Sequence, residues 1–163
     1  MKIIRLGIIY PLVILMTITL LQKAWTLENV FPVYCLKDSG FSLRSKCAFF
    51  STIPLFIMVF LSTANKMIYS QGIFSKANEI ASQDTTENTL VFAINILASA
   101  NEKFSTEQLM ILTSIYIISR FLYWFGHILG AYLEIPELKL FGQCMTLVNS
   151  SMLVFINFKE LVI

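Results

Sequence analysis

Apolar residues crowd into five stretches of this chain, at about 3–21, 48–64, 89–100, 109–133 and 140–158, and polar residues gather between them. A helix needs about 20 mostly apolar residues to cross roughly 30 Å of hydrocarbon. The third stretch is short for that. It reaches spanning length if its helix starts back near Ser82, with "SQDTTEN" as a polar first turn before "TLVFAINILASA". Ser82 or Asp84 can cap such a start, and Glu87 suits the positive end of the helix dipole. Two longer connections remain. Residues 22–47 mix aromatics with Pro32 and Gly40 and read as an interfacial loop, whereas 65–83 are polar enough to leave the bilayer.

Of the 163 residues, 56% are hydrophobic and 13% charged, and the mean hydropathy is +0.73. That balance lies far from a soluble domain, so the expected class is an all-α, multi-pass integral membrane protein. Which membrane hosts it stays open, an inner membrane in a bacterium or the endoplasmic reticulum or similar in a eukaryote. Net charge is only +2 and no basic cluster is present, which argues against nucleic acid as a partner. A single histidine and three scattered cysteines provide no metal-ligand spacing, so no metal is expected. Cys35 and Cys47 could bridge only in an oxidising compartment, and free thiols are the simpler reading. The sequon at Asn149 lies inside the last span and is not expected to carry a glycan.

The first stretch, with Lys2 and Arg5 ahead of it, has the outline of a signal peptide, but "LLQKAWTLENV" offers no small-x-small cleavage site, so it reads as an uncleaved helix. Loop charge does not orient the chain. With the N-terminus inside, Lys2, Arg5, Lys66, Lys76 and Lys139 oppose Lys23, Lys37, Arg44, Lys46, Lys103 and Lys159.

Chemistry concentrates in the fourth stretch. Tyr116, Arg120, Tyr123 and His127 are spaced by four, three and four residues and share one helix face. An arginine within a span costs about 2.5–3.5 kcal/mol on insertion scales, so it should face the bundle interior and meet an acceptor. Asp84 and Glu87 are the carboxylates placed to meet it. Asp84, Glu87 or Asn88, Val91 and Asn95 form a second polar stripe, and Gln143, Thr146 and Ser150 a third. Spacing alone leaves two readings equal: a pair that pins helices together, or a ligand site. Read singly, His127 is more often an interface side chain, Tyr123 and Trp124 suit an aromatic belt, and Glu134 and Glu137 around Pro136 suit a solvated turn.

Together "SQDTTENTLVFAINILASA", "IYIISRFLYWFGHILG" and "PELKLFGQCMTLV" resemble the MAPEG superfamily, the membrane-associated proteins in eicosanoid and glutathione metabolism. In that family the second helix opens with an Arg-containing Asn-x-x-Glu motif, the third carries Arg-x-x-Tyr-x-x-Gly-Tyr, and a basic residue begins the fourth. Glu87 matches the glutamate, Arg120, Tyr123 and Gly126 match the third-helix motif, and Lys139 stands near the later basic position. Asp84 replaces the asparagine, His127 replaces the last tyrosine, and Ile80 and Ala81 stand where the first arginine belongs. The likeness covers about residues 48–160.

The resemblance implies a MAPEG-like four-helix bundle over 48–163, preceded by an extra transmembrane helix in 1–25 and the interfacial loop 26–47. It further implies a homotrimer with ligand sites between subunits on the cytoplasmic side, an inside N-terminus, and an outside location for Cys35 and Cys47. Two functions follow from it. In one, glutathione is a co-substrate whose sulfur attacks a lipophilic electrophile or hydroperoxide, making a transferase or peroxidase. Arg120 and Tyr123 are then the catalytic residues, and Asp84, Glu87, Asn88, His127 and Lys139 the ligand-binding ones. In the other, the chain binds membrane lipid or a lipophilic small molecule, or acts as a scaffold, and catalyses nothing. The missing arginine leaves fewer cations for glutathione and favours the second.

Overall fold

A computed structural model describes residues 43–68, 72–99 and 106–162, together with positions 11, 15, 16, 18 and 19. Most of the expected helix 3–21, and Cys35 with its loop, lie outside the described residues. Among the described residues the structure is all-helical, with no strand. The elements are α1 (Leu43–Ser51), α2 (Ile53–Ile68), α3 (Ile73–Ala98), α4 (Thr106–Leu133), a 3-10 turn (Pro136–Lys139) and α5 (Leu140–Val162).

Helices α1 and α2 form one apolar stretch broken at Thr52. Pro54 has no N–H to give to the carbonyl four residues back, so the helix cannot run through it unchanged. The chain tightens there by one turn: the Thr52 N–H donates to the Phe49 carbonyl at 3.0 Å. The Ser51 and Thr52 hydroxyls donate to the Ala48 and Phe49 carbonyls at 2.6 Å each. The helix begins at Leu43, inside the stretch read as an interfacial loop, because Leu43, Cys47 and Ser51 follow a spacing of four and turn one face toward the core.

Helix α3 corrects the sequence reading. Its expected start was Ser82, but it begins at Ile73 with Gly72 as an N-cap that makes no side-chain bond. Residues 73–83 are therefore helix rather than connection. Ser82 and Asp84 sit in the body of α3, and the Ser82 hydroxyl donates to the Glu79 carbonyl at 2.8 Å instead of capping. No glycine or proline interrupts 73–98. The buried positions Asn78, Ala81, Thr85, Thr89, Phe92 and Ile96 recur at three and four residues. Such a stripe of small and hydroxylic side chains folds as helix without an apolar run. Three helical stretches are long and apolar enough to cross a membrane, Leu43–Ala64, Gln108–Leu133 and Pro136–Phe155, and α3 is not among them.

Helices α4 and α5 form the most extensive packing pair. Two glycines allow it. A Cβ on Gly142 would fall inside the Tyr123 backbone nitrogen and 2.6 Å from the Ser119 carbonyl oxygen. At Gly126 it would run into the Leu138 carbonyl. The turn between the helices closes with Glu134 at φ 56°, and the Ile135 N–H donates to the Gly130 carbonyl at 3.0 Å. This is a Schellman ending, in which glycine is the favoured residue at the left-handed position. Because a left-handed non-glycine residue costs about 1–2 kcal/mol and glycine loses part of that in chain entropy, Glu134→Gly is expected to stabilise the fold by about 0.5–1 kcal/mol. A higher thermal midpoint in detergent is the check, and a lower one would refute this account of the turn.

Two apolar clusters lie along α4. One gathers Cys47, Phe92, Ile96, Leu112, Tyr116 and Leu153, and the other Met58, Ala77, Ala81, Tyr123, Trp124 and Ile128. Arg120 falls between them, one turn from Tyr116 and from Tyr123. Cys47 and Cys144 are buried free thiols, so Cys47 does not bridge to Cys35.

Candidate functional site, a buried ion pair between helices

The four-three-four stripe of α4 is one inward face. Tyr116, Arg120 and Tyr123 are buried, and His127 is half-buried. Tyr116 stacks on Phe92 of α3 with ring centroids 4.1 Å apart. Its hydroxyl shares a 2.8 Å hydrogen bond with Thr89.

Arg120 is 0% exposed. Its Nη2 donates to Asp84 Oδ2 at 2.7 Å and to Thr85 Oγ1 at 2.8 Å, both on α3. Its Nη1 reaches Thr146 Oγ1 of α5 at 3.4 Å. The guanidinium carbon lies 4.5 Å from the centroid of the Tyr123 ring, in cation–π range. Nε has no hydrogen-bond partner. One guanidinium thus ties α3, α4 and α5 together. Thr146 is held in turn by Ser119 at 2.9 Å and by the Gly142 carbonyl, to which it donates at 2.9 Å.

Of the two carboxylates placed to meet Arg120, Asp84 is the partner. Glu87 is exposed. It lies three residues on, about 60° further round α3, and this turns it outward. Asn88 donates to the Asp84 backbone carbonyl at 2.8 Å rather than toward α4. His127 stacks on Tyr123 with centroids 5.8 Å apart, and lies within electrostatic reach of both Asp84 and Lys139. Lys139 ends the 3-10 turn, whose backbone packs against Gly126. Arg120, Tyr123, Asp84, His127 and Lys139 therefore form one column on the side of the bundle where the α4–α5 turn lies. Asp84 is its most open charged member on α3, at 31% exposure.

Several site residues left no trace in the sequence. Thr85 and Ser119 complete the polar cage around Arg120. Trp124, which suited a membrane-surface belt, is instead buried, and its indole N–H donates to Asn78 Oδ1. Asn78 in turn donates to the Met58 carbonyl of α2 at 3.3 Å, joining three helices. Asn149 of the sequon is buried and donates to the Leu112 carbonyl at 2.9 Å. Among the described residues no group of three or more His, Cys, Asp or Glu side chains is placed to hold a metal.

Fold and site together define a helical bundle with membrane-length helices, closed on a buried arginine–aspartate pair. No protein-family model, curated protein or solved structure matches the chain.

Proposed function

We propose that this chain is a multi-pass integral membrane protein of MAPEG-like build that binds membrane lipid without catalysing a reaction. Its Arg120–Asp84 pair serves to clamp the helices. One observation carries this reading: Arg120 is wholly buried and both its terminal nitrogens are occupied, by Asp84, Thr85 and Thr146. A thiolate needs a cation or donor free to favour its charged form, and here it would have to displace a carboxylate 2.7 Å away. The residues present therefore do not suit glutathione at this guanidinium. The homotrimer that the MAPEG likeness implies belongs to the same proposal. The apolar outer face of α3, with Leu90, Ile94 and Leu97 exposed, suits contact with lipid or with another copy.

A second reading, a glutathione transferase or peroxidase, draws on the open side of the column, where Asp84, His127 and Lys139 retain solvent access. The two separate in one assay. Detergent-purified protein is mixed with glutathione and a chromogenic electrophile, and thiolate absorbance and turnover are followed. Neither signal is expected at saturating glutathione. Turnover lost in both Arg120→Ala and Tyr123→Phe, with the fold retained in the second, would overturn the lipid-binding proposal and install those residues as catalytic.

A further inference from the structure

Above the ion pair, α3 and α5 leave a groove open to the outside. Asn88 and Val91 line it from α3, and Leu147, Val154, Phe155 and Phe158 from α5. Its volume is about 410 Å³, within the usual range for small-molecule sites. No charged side chain lines it. Asn95 and Asn157 tie the two helices together across it, with Asn157 Nδ2 donating to the Asn95 carbonyl at 2.9 Å. This pairing also shows that α3 and α5 run in parallel from the ion-pair end.

The groove is continuous with the polar column. Asp84 lies one turn before Asn88 on the same face of α3, and the two are bonded. On α5, Lys139, Gln143 and Leu147 follow at intervals of four, so the face bearing the groove leads back to the lysine. From Leu147 to Phe158 the groove rises about 16 Å at 1.5 Å per residue. That is about half of a hydrocarbon core of roughly 30 Å, the depth of one leaflet. Within the column two cations, Arg120 and Lys139, stand against the single carboxylate Asp84. Ser150 Oγ, which lines the groove near the level of Asn88, is buried without a hydrogen-bond partner.

We infer that the groove and column together hold one anionic phospholipid: an acyl chain lies between α3 and α5, and the phosphate-bearing headgroup sits against Lys139 and His127. This rests on the lipid-binding reading above and names its ligand. Each part of the lipid meets matching chemistry. The chain covers Val154, Phe155 and Phe158, which are exposed without it. An ester carbonyl accepts from Ser150 Oγ, and the phosphate answers the surplus cation at the end of the column. A zwitterionic headgroup would bring an outer ammonium against Lys139, whereas an anionic one would not.

The test uses the full chain in mixed micelles of phosphatidylglycerol and phosphatidylcholine with identical acyl chains, with native mass spectrometry reading the lipid retained per chain. One phosphatidylglycerol per chain is expected. Lys139→Gln should lower its preference over phosphatidylcholine about fivefold, the worth of one cation at an anionic lipid surface. Val154→Trp, which fills the groove from an exposed position, should abolish retention, and Leu129→Trp, at an exposed position on α4, should leave it intact. Retention of both lipids equally, or undiminished retention in Val154→Trp with an unchanged thermal midpoint, overturns the inference. If that happens without thiol turnover in the assay above, the ligand assignment alone falls. Thiol-dependent turnover would bring down the lipid-binding reading itself.

Discussion

Replacing Asp84 with alanine is expected to destabilise the folded bundle by about 3 kcal/mol, the lower end of the range for removing one member of a buried ion pair. The lower end applies because the Asp84 side chain is 31% exposed and is already part-solvated. Arg120 has no such relief. It is 0% exposed, and after the substitution its charge would face only the Thr85 and Thr146 hydroxyls and the Tyr123 ring. Arg120→Ala should also destabilise, but it strands a carboxylate that can turn toward water, so its deficit should be smaller for charge and larger for lost packing. The double substitution Arg120→Met with Asp84→Leu is the decisive comparison. Exchanging a buried ion pair for apolar side chains of similar bulk is often neutral, so the double variant should recover most of what Asp84→Ala loses. Unfolding of the purified protein in detergent against increasing dodecyl sulfate measures all four stabilities. Additive losses in this cycle, or an Asp84→Ala protein as stable as the parent, would show that the pair does not clamp the helices.

The arginine was legible because its cost was legible. A guanidinium at position 120 of an apolar run must be partnered wherever the helices go, and the spacing of Tyr116, Tyr123 and His127 told which face it shared. The choice between Asp84 and Glu87 was not legible. It depends on the rotation of α3 about its own axis, and that rotation is fixed by the stripe from Asn78 to Ile96. The stripe is small and hydroxylic rather than greasy, and a search for apolar runs passes over its first half. The same blindness misplaced the start of α3 by nine residues, from Ser82 to Ile73. Thr85 and Thr89 were hidden for a related reason. A helical threonine ordinarily bonds a carbonyl in its own preceding turn, as Thr86 does to Ser82. Nothing in the sequence marks the two that reach across to Arg120 and Tyr116. Proline was read well at 136, where it opens the 3-10 turn. Pro54, inside an apolar run, gave no warning that it would divide the first span into α1 and α2.

Gly142→Ala should be the most damaging of the smallest changes, with an expected loss of about 2–3 kcal/mol, near the top of the range for overpacking a core. A single methyl group would fall on the Tyr123 backbone nitrogen and 2.6 Å from the Ser119 carbonyl oxygen. Both are main-chain atoms inside a helix, so neither can rotate away, and α4 and α5 must separate to admit it. Separation strikes the site directly. Ser119 and Thr146 share a 2.9 Å hydrogen bond across this contact, and Thr146 is the group that meets Arg120 Nη1. The loss should therefore combine with the ion-pair variants non-additively, as expected of residues that share partners. Gly72→Ala supplies the contrast: nothing lies within 4 Å of its added Cβ, and its φ of −124° is open to any residue. Stability within about 0.5 kcal/mol of the parent is expected there, as for surface changes generally. Equal effects from the two glycines would mean that the α4–α5 contact is looser than its backbone geometry requires, and that the arginine cage does not depend on it.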